Sequence, residues 1–163
     1  GRTMQEGYNG TLLFHLLTPD EDTVYDNRFD IELLTHRLLE AVAWVREQAR
    51  LAEASIGFFG ASTGAAAALR AAAQAPAGLA AVVSRGGRAD LAMSYLARVR
   101  APTMLIVGEL DDAVLDLNQQ ASTVLGVEKE LVIVPGATHL FEEPGALETV
   151  AGHARRWFTR FLT

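Results

Sequence analysis

The chain contains no cysteine, which excludes disulfides, thiolate metal ligands and a cysteine nucleophile. It also lacks any apolar run approaching the ~20 residues that span a bilayer, although hydrophobic residues make up 50% of the sequence. Positive charge is scarce: Lys+Arg number 14 against 20 Asp+Glu, a formal net charge of −6. Nucleic acid needs a basic face that displaces counterions, so it is set aside as a partner. No His-x-x-x-His pair or carboxylate cluster supports a metal, and no cofactor is expected. The opening residues do not read as a secretion signal. The expectation is therefore a cytoplasmic protein with no membrane partner.

What is present fits one ordinary domain. The 163 residues suffice for one sizeable core and fall short of two, which assigns 1–163 to a single domain. The acidic cluster Asp20-Glu21-Asp22, with Asp26 and Asp30 after it, reads as a solvated loop, because the spacing and glycine of a calcium loop are missing.

Strand-like and helix-like patterns alternate along the chain. Thr11 to Leu17 is a mostly apolar run closed by Thr18-Pro19-Asp20, a buried strand and a turn. Ile31, Leu34, Leu38, Val42 and Val45 recur at helical spacing and predict an amphipathic helix from about Asp30 to Arg50. Further strands are predicted at Ser55 to Phe59, Leu79 to Ser84, Thr103 to Val107 and Glu130 to Val134. Helices fall between them, and a last helix begins near Pro144 and buries Leu147, Val150, Ala154, Trp157 or Phe158, and Phe161. Trp44 is expected on a core face as well. About five strands that are apolar on both faces imply a doubly wound, mostly parallel sheet flanked by helices, an α/β fold.

Sites in such sheets form at the carboxyl ends of the strands, and that rule selects among the polar residues. Ser62 lies just past the second predicted strand, in Gly60-Ala61-Ser62-Thr63-Gly64. Strand, tight turn and helix in that order lift a serine Oγ above the sheet, and glycine is expected on both sides because a Cβ would clash where strand and helix run close. Asp111 and Asp112 follow the fourth strand and His139 the fifth. Nucleophile, acid and base therefore share one edge, in the chain order Ser, Asp, His.

With those residues in place, the chain resembles the α/β-hydrolases, and within them the dienelactone hydrolase-like group. The resemblance runs from about Thr11 to the end. It rests on Gly60 to Gly64, on Ser84-Arg85-Gly86-Gly87-Arg88 and on Pro135-Gly136-Ala137-Thr138-His139. The acid loop Gly108 to Val114 is similar to the family's Gly-x-x-Asp-x-x-Val, with Asp111 in the acid position and Asp112 as the alternative. Dienelactone hydrolases proper use a cysteine that this chain lacks, so it is more similar to the serine esterases of the group. The resemblance implies a carboxylesterase-like serine hydrolase of small esters, thioesters or lactones. Ser62 attacks, His139 is its base, Asp111 orients the imidazole, and the Thr63 backbone N–H stabilises the oxyanion. Two alternatives stand beside it: a non-catalytic relative or interaction protein, and an acyltransferase or peptidase using the same triad.

The resemblance also marks a gap. The second oxyanion donor of such enzymes comes from a His-Gly loop after an earlier strand, and neither precedes Thr11 here; Gly1 to Asn9 reads as the remnant of the first helix, giving a truncated α/β-hydrolase fold. The absent strand belongs between Thr11 to Leu17 and Ser55 to Phe59. Unpaired backbone is costly, so the expectation is that Thr11 to Leu17 closes a sheet of five strands, with a homodimer through the sheet edge near it. Arg85 and Arg88 have two readings: recognition of a substrate carboxylate, which guanidinium forks suit, or an ion pair with Asp90 or the acid loop. His15 is expected to be buried and hydrogen-bonded, and His36 and His153 to face solvent.

Overall fold

The computed structural model describes residues 10–74 and 78–162. Its strands are β1 (Ile56–Ala61), β2 (Leu79–Arg85), β3 (Thr103–Gly108) and β4 (Lys129–Val134). All three pairings are parallel, in the order β1-β2-β3-β4. Helix α1 (Ile31–Glu47) precedes the sheet, α2 (Thr63–Ala73) links β1 to β2, and a 3-10 stretch (Ala89–Arg98) links β2 to β3. Helix α3 (Asp112–Val124) links β3 to β4, and α4 (Ala146–Phe161) closes the chain.

The apolar runs of the central strands explain the two-layer cover. Every residue of β3 is buried, so its alternate side chains serve two cores. Val82 and Leu105 pack with Leu69, Leu96 and Leu125 from the helices on one face. Ala81, Val83, Met104 and Ile106 pack with Trp157 and Phe158 of α4 on the other. The alanines 65 to 68 of α2 are all but fully buried, so this helix lies close on the sheet. Asp30 starts α1 by accepting a hydrogen bond from the Leu33 N–H at 3.0 Å, an N-cap that satisfies an otherwise unpartnered donor. No described helix is long and apolar enough to cross a membrane.

The doubly wound α/β architecture is as the sequence predicts, with three corrections. Thr11 to Leu17 forms no strand, and the described sheet has four strands with β1 at its edge. An apolar run becomes a strand only when a neighbouring ladder accepts its backbone groups, and no described strand lies beside this one. Leu16 and Leu17 pack against the core, whereas Leu12, Leu13 and Phe14 are exposed. His15 is exposed with them, not buried. Finally, Trp44 and Leu147 face outward, at 54% and 49% exposure; helical spacing marks a stripe but not its outer limit. The helix remnant expected at residues 1–9 lies outside the described residues.

Candidate active site

The turn between β1 and α2 carries Ser62 at φ 52° and ψ −119°. Only one other described non-glycine residue, Phe141, has positive φ. Such a conformation costs about 1–3 kcal/mol and persists only when its surroundings fix it. Two backbone hydrogen bonds do so: the Ser62 N–H donates to the Arg85 carbonyl and the Arg88 N–H to the Ser62 carbonyl, both at 3.1 Å. Gly60 lets strand and helix meet, since a Cβ there would lie 2.5 Å from the Gly64 carbonyl oxygen and 2.8 Å from the Ala65 Cα. The same need was expected of Gly64. It does not hold, because a Cβ at Gly64 would meet nothing within 4 Å: this residue already lies in the first turn of α2 and points to open space.

Across the same sheet edge, His139 Nδ1 lies 2.6 Å from Asp111 Oδ2. The Asp111 side chain is 14% exposed and the His139 side chain 38%. Asp112, the alternative acid, is exposed as the first residue of α3. The loops bearing the pair are tied together. Leu110 N–H donates to the Ala137 carbonyl at 3.0 Å, and Gly136 N–H donates to Glu109 Oε2 at 2.7 Å. Glu143 accepts from the Thr138 backbone N–H at 3.1 Å and from its hydroxyl at 2.5 Å; the hydroxyl bond, first, holds its carboxyl below the usual range. With Nδ1 turned to Asp111, Nε2 is the imidazole nitrogen left for chemistry. No hydrogen bond joins Ser62 Oγ to His139; nucleophile–base contacts often tighten only with substrate bound.

The two arginines separate. Arg88 grips Asp90 with Nε at 2.9 Å and an amino nitrogen at 2.7 Å, which raises the guanidinium pKa and lowers the carboxyl. Arg85 is half-buried, its Nε has no hydrogen-bond partner, and its guanidinium carbon stands 5.5 Å from the Phe141 ring centroid. Burial pushes its pKa down. His36 is exposed beside Glu40 and His153 is half-exposed. Among the described residues no group of three or more His, Asp or Glu could hold a metal.

Sequence reasoning passed over Glu109, Glu143 and Asn118. The first two fix loops through backbone N–H groups, which no motif announces. Asn118 reads as one more polar residue of an amphipathic helix, yet it is fully buried.

Comparison with known proteins bears on the family and the fold. The family model of the dienelactone hydrolase family matches residues 11–162. Two Mycobacterium tuberculosis proteins, from strains CDC 1551 / Oshkosh and ATCC 25618 / H37Rv, are 56% identical over 152 residues, 93% of this chain. Both are provisionally named phosphoribosyl transferases, and the match spans 34% of their length. The crystal structure of a dienelactone hydrolase from Anabaena variabilis superposes with a TM-score of 0.93 at 48% identity, over 99% of this chain and 77% of that one. Est1E from Butyrivibrio proteoclasticus has the same fold, with a TM-score of 0.72 at 15% identity over 82% of this chain and 71% of its own.

Proposed function

Since the chain belongs to the dienelactone hydrolase family, we propose that it is a carboxylesterase-like serine hydrolase of small esters, thioesters or lactones. The observation that carries this reading is the 2.6 Å contact of His139 Nδ1 with Asp111, on the sheet edge where Ser62 occupies its strained turn. A serine hydroxyl is a poor nucleophile until a base removes its proton. His139 Nε2 takes that proton as Oγ bonds the acyl carbon, and Asp111 stabilises the imidazolium. The tetrahedral oxyanion faces the Thr63 N–H, which as the first residue of α2 has no acceptor within the helix. His139 returns the proton to the departing alcohol oxygen as the C–O bond breaks. Water then attacks the acyl-enzyme by the same route, releasing the acid and restoring Ser62.

Arg85 is the cation we assign to a substrate carboxylate, because Arg88 is already engaged by Asp90. The transferase name of the mycobacterial relatives describes proteins of which this stretch makes up 34%; the hydrolase reading concerns the stretch itself. A homodimer through the edge of β1, beside which no described strand lies and where Phe59 is 43% exposed, is proposed with it; a monomer by sedimentation removes that part.

The test is labelling with a fluorophosphonate probe, with Ser62→Ala and His139→Ala as controls. The expected result is an adduct on Ser62 and loss of ester hydrolysis in both variants without unfolding. A folded protein that takes no label supports the second reading, a non-catalytic relative, which the unbonded Ser62 Oγ favours.

A further inference from the structure

The turn after β2, residues Arg85 to Arg88, meets Ser62 and His139 directly and the helix that follows Asp111 through Asn118. Its ends hold the Ser62 backbone through the two 3.1 Å hydrogen bonds. Gly86, at φ 53°, presses against the base: a Cβ there would lie 3.3 Å from His139 Nδ1 and Cε1. Gly87 packs on α2, where a Cβ would lie 3.0 Å from that of Ala65. The Gly87 carbonyl then accepts a hydrogen bond from Asn118 Nδ2 at 2.9 Å. Asn118 stands on α3, the helix that begins directly after Asp111, and the same Nδ2 also donates to the Val114 carbonyl at 2.8 Å. Two carbonyl acceptors fix the amide with its donors toward the turn.

This amide is an expensive way to fill the interior. Asn118 is 0% exposed, and its Oδ1 is buried with no hydrogen-bond partner. An apolar side chain of like shape would remove that orphaned acceptor and leave the Gly87 carbonyl without its donor instead, so the amide gains little for stability. Stability alone therefore does not account for asparagine at this position. Its one long-range side-chain hydrogen bond is to the turn that holds Ser62 and abuts His139. We propose that Asn118 is a positioning residue: it locks the acid-bearing helix to the turn that sets nucleophile and base in register. The proposal rests on the hydrolase reading above.

Asn118→Leu removes both the donor and the orphaned acceptor at similar volume, and Asn118→Asp keeps the shape while turning a carboxylate oxygen toward two carbonyls. Misplacing a catalytic group by about 1 Å costs on the order of 100-fold in rate. Both variants are therefore expected to lose 10- to 100-fold in kcat on a p-nitrophenyl ester, with KM within about twofold, and to slow fluorophosphonate labelling of Ser62 equally. Asn118→Leu removes the orphaned Oδ1 but leaves the Gly87 carbonyl without its donor, so the two changes offset and it is expected to melt close to the wild type while kcat falls; a purely structural asparagine would lose stability with no selective fall in kcat. Either folded variant with kcat within twofold of the wild type overturns the proposal. If the leucine variant fails to fold, the isosteric aspartate decides alone. A wild type that neither turns over ester nor takes the label removes the hydrolase reading, and the NMR signal of the His139 Nδ1 proton then decides. Its displacement in Asn118→Asp supports the positioning role, and an unmoved signal overturns it.

Discussion

Replacing each glycine of the nucleophile turn by alanine should give effects of opposite sign. At Gly60 the new Cβ would lie 2.5, 2.7 and 2.8 Å from Gly64 O, Gly64 C and Ala65 Cα. All three are backbone atoms, so no side chain can rotate away. The strand cannot step back either, because Gly60 is registered against Ser84 within the β1–β2 ladder. Overpacking costs about 1–3 kcal/mol where side chains can adjust; with backbone on both sides the upper figure, about 3 kcal/mol, is the expectation. At a urea slope of about 2 kcal/mol per molar, the midpoint falls by roughly 1.5 M. Gly64 lies in the first turn of α2 with nothing within 4 Å of its would-be Cβ, and alanine is preferred there by up to about 1 kcal/mol. Gly64→Ala should thus raise the midpoint by up to roughly 0.5 M. Equilibrium urea unfolding followed by circular dichroism measures both. Shifts of the same sign, or a Gly60→Ala protein as stable as the wild type, would refute the close-approach argument.

Other outcomes follow from the same geometry. Asp111→Asn should reduce kcat by about 10³- to 10⁴-fold, as expected when the base loses its orienting acid, and Asp112→Asn by far less; the reverse ranking would move the acid to Asp112. Arg85→Met should cost about 10- to 100-fold in kcat/KM on a succinate monoester, the worth of a charge-assisted contact, while a neutral butyrate ester is hydrolysed as before. Equal losses on both esters would return Arg85 to a structural role. Asp90 titrates below its ordinary value of 3.8 because of the Arg88 hydrogen bonds and charge. Its stabilisation is therefore complete above that pH and is lost as pH falls through the lowered folded value. The melting temperature of Asp90→Asn should sit below that of the wild type at pH 7, by the equivalent of about 1 kcal/mol or less for a partly exposed pair. The two should converge as pH falls through that lowered value; a gap that is constant with pH would show that the pair is not its source.

The fold was readable wherever apolar periodicity and a partner coincide. β3, buried along its whole length, and α1, with its apolar stripe, were both legible because each is specified locally and then covered on the side its pattern announces. Thr11 to Leu17 has the pattern without the partner, and a ladder is a property of two segments, not of one. The pairing of Asp111 with His139 follows from counting strand ends, since both residues sit immediately beyond adjacent strands. The ties of Glu109 to Gly136 and of Asn118 to Gly87 were not legible. Each joins a side chain to a main-chain group 27 or 31 residues away, and a backbone amide or carbonyl carries no residue-type signal.

Strand order explains why the turn after β2 is built from two glycines. The proposed acid and base follow β3 and β4, which are neighbours, so their loops can bind each other directly. The proposed nucleophile follows β1, and β2 lies between. Whatever leaves β2 must therefore pass between Ser62 and His139. A side chain at Gly86 would press on the imidazole, and one at Gly87 would overlap Ser84 Oγ and crowd Ala65. Gly86 also holds φ 53°, a conformation with little cost only for a residue lacking a Cβ. Ser84-Arg85-Gly86-Gly87-Arg88 is thus the spacer through which the two halves of the candidate site meet. Substituting Gly86 by alanine tests this: the loss should fall on kcat through the base, and Ser62 should still sit in its strained turn.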